Sequence, residues 1–302
     1  MAAEALYGAP PPELAAVAHD APQLSPLVPG ADAIEALADG ALTRMVMLAP
    51  PGTLERRYAI AQALRAVAVG GDITVLAPKT RGGARLAKEL EAFGCAVNET
   101  ARRHHRICRT RRPAAPTGVE AALAAGAPRL DERLGLWTQP GVFSWDRIDP
   151  GTTLLLASAS GFAGRGADLG CGLGVLGRAV LADPAVSTLF CVDIDRRAIE
   201  AAKRNVTDPR ARWLHRDLRL GDPDLSSLDF VIMNPPFHDG GHEDRTLGLA
   251  FISAAANMLR PGGVCRLVAN IALPYEGRLK AEFTTVASLA QGGGYKVYEA
   301  VK

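Results

Sequence analysis

The chain has 302 residues, of which 48% are hydrophobic and 22% charged, and its formal net charge is +2. This composition excludes a disordered chain and suits two globular domains of ordinary size. There is no apolar run near the roughly 20 residues that a bilayer span requires, and Met1-Ala2-Ala3-Glu4 lacks the basic start and apolar core of a signal peptide. A cytoplasmic protein without a membrane partner is expected. The small net charge permits a polyanionic partner without demanding one, so local clustering of charge must decide.

Residues 1–30 are rich in Ala and Pro, with Pro10-Pro11-Pro12 and further prolines at 22, 26 and 29. They are expected to form an irregular lead-in. Residues 31–112 read as a first α/β domain. Within it, Arg102, Arg103, Arg106, Arg109, Arg111 and Arg112 crowd one short segment with no acid between them. Charges of this kind can simply blunt an exposed strand edge. Six arginines together favour contact with the phosphates of a nucleic acid. Residues 113–130, rich in Pro, Ala and Gly, read as an interdomain linker, with room for a short helix.

Residues 131–302 alternate helix and strand. Helices are expected from Thr152, after the glycine loop through Leu181, over Arg196–Asn205, over Leu247–Leu259 and near Glu276–Ala281. Strands are expected at Gly166–Asp168, Leu189–Asp193, Arg212–Asp217, Phe230–Asn234 and Val264–Asn270. Two runs of β-formers around Gly292-Gly293-Gly294 predict a closing hairpin. The alternation predicts a mostly parallel sheet covered on both faces, with an antiparallel edge.

The first domain repeats part of this pattern. Arg44-Met45-Val46-Met47-Leu48-Ala49-Pro50-Pro51 parallels Asp229-Phe230-Val231-Ile232-Met233-Asn234-Pro235-Pro236, and Gly70-Gly71 before a strand parallels Gly262-Gly263. In this alignment Ala49 stands at the place of Asn234, and too few residues precede it for a glycine loop. A duplicated domain that kept its fold and lost its site is expected.

Five cysteines, Cys95, Cys108, Cys171, Cys191 and Cys265, include no CxxC pair. Buried thiols are expected rather than disulfides or a metal site. His104 and His105 lie near Cys108, but neighbours on an extended segment point to opposite sides.

Two motifs carry chemistry. Asp168-Leu169-Gly170-Cys171-Gly172-Leu173-Gly174 follows a strand and opens a helix. Glycines there allow a tight turn and close approach of backbone N–H groups to a ligand. Asp193 ends the next strand, where a carboxylate can accept from ribose hydroxyls. Asp217 ends the third and could accept from an adenine amine. Residues 172–177 also satisfy the GxGxxG pattern, so the loop alone admits a nucleotide-binding oxidoreductase using NAD. The second motif, Asn234-Pro235-Pro236-Phe237, follows a buried strand. The prolines make a stiff turn at the end of the sheet where ligands bind. Asn234 and the Pro235 carbonyl offer two acceptors, and Phe237 offers a flat face. The set suits a planar group bearing an NH2.

Together the DxGxGxG loop and the Asn-Pro-Pro-aromatic turn resemble class I methyltransferases that modify planar nitrogens. Further stretches narrow the likeness: Pro140-Gly141-Val142-Phe143-Ser144, Asp149-Pro150-Gly151, His238-Asp239-Gly240, Val268-Ala269-Asn270, Leu273-Pro274-Tyr275 and Lys296-Val297-Tyr298. With these the chain resembles the RsmC family, closely over residues 135–302 and loosely from residue 44. The resemblance implies two tandem Rossmann-like methyltransferase domains, the first degenerate. It implies methyl transfer from S-adenosylmethionine to the exocyclic N2 of a guanosine in 16S ribosomal RNA; no metal is needed, because the sulfonium already activates the methyl group, and a monomer is expected. A large-subunit guanine N2, an adenine N6 or a protein glutamine amide are substrates the same turn could serve. Asp168, Gly170, Gly172, Gly174, Asp193, Asp217 and Asn234 would hold the cofactor. Asn234 Oδ1 and the Pro235 carbonyl would accept from the guanine amine, Pro236 would stiffen the turn, and Phe237 would stack on the base. Phe143 would cap the pocket or serve as a core aromatic. The charged loop Gly241-His242-Glu243-Asp244-Arg245 departs from the family pattern.

Overall fold

The computed structural model describes residues 3–221, 224–236, 238–239, 242–243 and 245–302. The chain divides into two compact units, Met1–Pro128 and Arg129–Lys302.

The first unit holds β1 (Glu4–Tyr7), β2 (Leu42–Leu48), α1 (Thr53–Ala66), β3 (Val67–Pro78), α2 (Ala84–Ala92), β4 (Asn98–Arg102), β5 (His105–Arg111) and α3 (Val119–Gly126). Its strands pair in the order β1-β2-β3-β5-β4. Met45, Met47, Ile73 and Val75 share a buried core with Ile60 and Leu64 of α1.

Two sequence expectations fail here. The first thirty residues are not an irregular lead-in: Glu4–Tyr7 pairs in parallel with Arg44–Met47, and Ala5 and Leu24 are buried. Gln23 fastens this segment, accepting from the Gly8, Leu24 and Ser25 amides and donating to the Gly8 carbonyl. A four-residue strand among prolines shows no readable period, and only its distant partner makes it a strand. Nor is 113–130 a free linker. α3 packs on α1 so closely that a Cβ on Gly126 would lie 2.3 Å from Tyr58 Cβ. The units part at 128/129 instead.

The second unit holds the hairpin β6 (Arg129–Asp131) and β7 (Leu136–Thr138). It continues with α4 (Pro150–Ser158), β8 (Gly164–Leu169), α5 (Val175–Val180), β9 (Val186–Asp193), α6 (Arg196–Asn205), β10 (Ala211–His215) and β11 (Leu228–Met233). After the short pair β12 (His238–Asp239) and β13 (His242–Glu243) come α7 (Arg245–Met258), β14 (Leu259–Asn270), α8 (Tyr275–Glu282), β15 (Thr285–Gly292) and β16 (Tyr295–Val301). The seven-stranded sheet runs β10-β9-β8-β11-β14-β16-β15, parallel except for the pairings of β16. One face is covered by α7 and α8, through Ile252, Ala255 and Leu279; the other by α4, α5 and α6, through Leu155, Leu176 and Ile199. This is the expected α/β sheet with its antiparallel end.

The duplication is visible strand by strand. The order β1-β2-β3-β5-β4 matches β8-β11-β14-β16-β15 in direction as well as sequence. Even an irregularity recurs. Pairing jumps from Leu42↔Val67 to Arg44↔Asp72 in the first unit and from Leu228↔Leu259 to Phe230↔Val264 in the second. Gly70 and Gly262, both with φ +76, occupy that kink, a backbone region L side chains disfavour. The register corrects the sequence alignment by one residue. Met45 and Met47 face α1 as Val231 and Met233 face α7, so Leu48, not Ala49, stands where Asn234 does. The first unit has nothing matching β9 and β10 among the described residues. Its turn after β2 is filled by Arg56, whose buried guanidinium makes a two-point pair with Glu89 and donates to the Pro50 and Pro51 carbonyls. That is how the degenerate site is closed.

Candidate active site

Three strand ends meet beside one cleft in the second unit. After β8 the chain turns through Gly170, Gly172 and Gly174, with φ of +74, +52 and +80, before α5 begins. A Cβ added to Gly172 would meet nothing within 4 Å, so the space over the loop is open to a ligand. The cleft is lined by Gly170, Cys171, Gly172, Asp149, Thr152 and Asn234, with Phe143 at its margin. Phe143 is 58% exposed, so it is not a core aromatic. All five cysteines are free and buried.

Asp193, at the end of β9, ties the loop to the next helix. Its Oδ2 accepts from the Gly172 amide and its Oδ1 from the Asp195 amide, both at 2.9 Å. Asp195 in turn caps α6, accepting from the Arg197 amide. Burial raises the Asp193 carboxyl to about 6 despite these amides, and the nearby Asp195 adds to the rise. The Ile194 amide also donates to this carboxylate, so of its roughly four acceptor sites about one remains for a ligand hydroxyl.

Asp168 lies beneath the loop, fully buried, and does not line the cleft. Neither of its oxygens has a hydrogen-bond partner of good geometry. The Gly177 amide offsets burial only in part, and the carboxyl is pushed up to about 7. A buried, unpartnered acid under an open glycine loop suits a ligand that brings positive charge.

Asp217 follows β10 and caps the short turn at Leu218–Leu220. Both its oxygens meet the Arg219 guanidinium, at 2.9 and 2.7 Å, which lowers its pKa. It is therefore a shared carboxylate rather than a free reader of an adenine.

Asn234 follows β11, which lies between β8 and β14. Its Nδ2 donates to Asp149 Oδ2 and to Thr152 Oγ1, each at 2.9 Å. Both amide hydrogens are thereby used, and the acceptor end Oδ1 is set. Pro235 is buried and Pro236 half-buried. Phe237, Gly240, Gly241 and Asp244 lie outside the described residues, and with them the base-stacking expectation and part of the charged loop.

Asp149 and Thr152 are the residues that sequence reasoning missed. Asp149 caps α4, accepting from the Thr152 amide at 2.9 Å, with Pro150 at the first helical position. Asp-Pro-Gly-Thr reads as a helix start. It gives no sign of a partner 85 residues away.

The six arginines of the first unit do not stand unopposed. Folding brings acids to them: Arg103 pairs with Glu13, Arg106 with Glu99 at 3.1 Å and Arg111 with Asp72 at 3.4 Å. Arg102 donates to the Glu13 carbonyl, Arg109 to Thr100 Oγ1 and Arg112 to the Leu64 carbonyl. The sequence window between the arginines contained no acid, and the partners come from elsewhere in the chain.

Comparison with known proteins follows the same lines. The family described as Methyltransferase small domain matches residues 133–299. A "Ribosomal RNA small subunit methyltransferase C" of Pseudomonas aeruginosa (strain LESB58) is 32% identical over 286 residues, 92% of this chain and 85% of that protein. The protein of the same name from Erwinia tasmaniensis is 33% identical over 278 residues, 89% of this chain and 78% of its own. A solved structure, the T. thermophilus 16S rRNA N2 G1207 methyltransferase (RsmC) in complex with AdoMet and guanosine, shares the fold. Its TM-score is 0.79 at 24% identity, covering 100% of this chain and 88% of that one.

Proposed function

The chain belongs to the ribosomal RNA small subunit methyltransferase C family, and on that premise we propose that it methylates the exocyclic N2 of a guanosine in 16S ribosomal RNA, with S-adenosylmethionine as donor. The observation that carries this is the Asn234 amide. It stands at the strand end next to the glycine loop with its nitrogen anchored, which makes it an acceptor for an amine in the same cleft. When bound, S-adenosylmethionine would supply a sulfonium-activated methyl group: its carbon would bond to the amine nitrogen as the carbon–sulfur bond breaks to leave a neutral thioether, and the proton shed by the nitrogen would pass to solvent. Asn234 Oδ1 and the Pro235 carbonyl hold the amine by its hydrogens and stabilise the positive charge it acquires. Gly172 leaves the space over the loop open to the cofactor, while Gly170 and Gly174 give the loop its left-handed turns, with Gly174 packed against Ala202 and Val206. Asp193 presents its remaining acceptor site to the ribose, and Asp217 accepts from the adenine amine as Arg219 yields one of its oxygens. Pro236 stiffens the turn, Phe237 stacks on the base, and Phe143 caps the pocket. The chain's relatives are bacterial ribosomal RNA methyltransferases, which supports a cytoplasmic site of action. Action as a monomer belongs to the same proposal, and no helix among the described residues is long and apolar enough to cross a membrane.

The decisive experiment incubates the protein with methyl-labelled cofactor and small ribosomal subunits from cells lacking the modification. Nucleoside analysis should return the label as N2-methylguanosine. Label on adenine, on large-subunit RNA or on protein would refute the substrate.

We propose that the arginine hairpin of the first unit contacts RNA phosphates. Its ion pairs are exposed, and exposed pairs are worth only about 0–1 kcal/mol, so phosphate can displace the acids. Changing Arg102, Arg103 and Arg109 to Gln should weaken binding of a 16S fragment. It should also reduce the slope of log affinity against log salt by roughly 0.7–0.9 for each phosphate no longer neutralised. An unaltered slope would return the segment to a solvated edge.

A further inference from the structure

Asn Oδ1 and Nδ2 are nearly isosteric, so an Asn that must accept from a substrate amine needs something to forbid the opposite orientation. Here the forbidding group is Asp149. Its Oδ2 lies 2.9 Å from Asn234 Nδ2 and accepts from the Thr152 amide at the same distance. A carboxylate only accepts hydrogen bonds, so it has no proton to offer a flipped Asn234 carbonyl. A flipped amide would therefore set carbonyl oxygen against carboxylate oxygen. Thr152 Oγ1, at 2.9 Å, takes the second amide hydrogen and fixes the plane of the group. Thr152 itself is only 7% exposed, and Asp149 is fastened to the first turn of α4 by its cap, so the pair is rigid. The bond to Asp149 is charge-assisted and also draws electron density toward Oδ1, which strengthens it as an acceptor.

We propose that Asp149 and Thr152 are positioning residues for the methyl transfer: they lock the Asn234 carboxamide with its carbonyl toward the substrate amine and polarise it, and so make the turn selective for groups that donate. The proposal rests on the methyltransferase reading of the same cleft. It extends the site to a helix cap that the turn motif does not include.

Two sets of variants test it, each measured for kcat, KM for RNA, cofactor Kd by calorimetry and melting temperature. Thr152→Val removes one acceptor and leaves the capping amide in place. It should lower kcat roughly 10- to 100-fold, with cofactor Kd little changed and melting temperature lowered by about a few degrees at most for the unpaired donor. Thr152→Ser should restore most of kcat. In the second set, Asn234→Asp places two carboxylates together and should be at least as inactive as Asn234→Ala. Asp149→Asn, with Asn234 kept, retains an acceptor for both donors, because one oxygen, Oδ2, serves the Thr152 amide and Asn234, but removes its charge; it should lower kcat several-fold with the helix cap intact. A Thr152→Val enzyme with wild-type kcat, or one whose loss appears equally in cofactor Kd and melting, overturns the proposal. So does an Asn234→Asp enzyme more active than Asn234→Ala. Wild-type protein run alongside separates the two claims. If it labels no guanine, the function is wrong; if it does and the variants behave as wild type, only the lock is wrong.

Discussion

Replacing Asn234 with Ala is expected to reduce kcat for methyl transfer by roughly 10²–10³-fold, the loss seen when a preorganised hydrogen-bonding group is removed from a site of developing charge. The reason is local. The substitution takes away the only side-chain acceptor of the turn and leaves the Pro235 carbonyl to hold the amine alone. It also strips Asp149 Oδ2 and Thr152 Oγ1 of the donor they share. The glycine loop and its tie to Asp193 are untouched, because Gly172 is held from β9 and not from β11. Cofactor affinity should therefore stay within a few-fold of wild type. Single-turnover transfer to RNA and calorimetric titration with S-adenosylmethionine measure the two separately. A loss of equal size in both would show that Asn234 shapes the cofactor pocket rather than the reacting nitrogen.

The second large effect concerns Asp168 and runs against intuition, since removing a conspicuous acid should stabilise the protein without ligand. In the folded chain its carboxyl titrates near 7, against the ordinary 3.8, because burial disfavours the charge. A raised folded pKa means that the contribution to stability is complete below about 3.8 and is lost as pH rises to 7. Ionising this group in place costs about 4 kcal/mol, and Asp193, raised to about 6, acts in the same direction. Melting temperature should thus fall between pH 5.5 and pH 8. In Asp168→Asn the fall should shrink, and at pH 8 the variant should melt several degrees above wild type, even after the amide's own cost of burial. A cationic cofactor over the loop favours the ionised acid, so wild-type affinity should strengthen as pH rises from 5.5 to 7.5, and the variant should bind more weakly with a flatter pH profile. Greater stability with poorer binding is the signature of a strained binding group. A variant that melts lower than wild type at pH 8 would mean that Asp168 is a structural hydrogen-bonding residue.

The sequence carried the second unit almost completely. Its strands are short apolar runs between glycine and proline signals, and α6 runs over Arg196–Asn205 as the sequence indicated, bounded by an Asp cap and a basic last turn. The N-terminal strand was not legible because Glu4–Tyr7 is held by a partner strand some forty residues away rather than by its own composition. The same distance hid the acids opposite the arginine cluster, of which Asp72 lies on β3 and Glu13 follows β1. In the repeat, matching prolines suggested one alignment and strand register another. Register prevailed because a slip of one residue would turn Met45 and Met47 away from the core they share with α1.

The sequence by itself determined the chemistry available: a glycine loop, acids at successive strand ends, and a stiff turn carrying a carboxamide. These are local patterns, and local backbone sterics enforce them. The tertiary structure alone decided how that chemistry is aimed. It brought Asp149 and Thr152 from the start of α4 against Asn234, buried Asp168 without a partner, and closed the first unit's turn with Arg56. Orientation and burial arise from packing between segments far apart in the chain, and a hydrogen bond or a desolvated charge exists only once those segments have met.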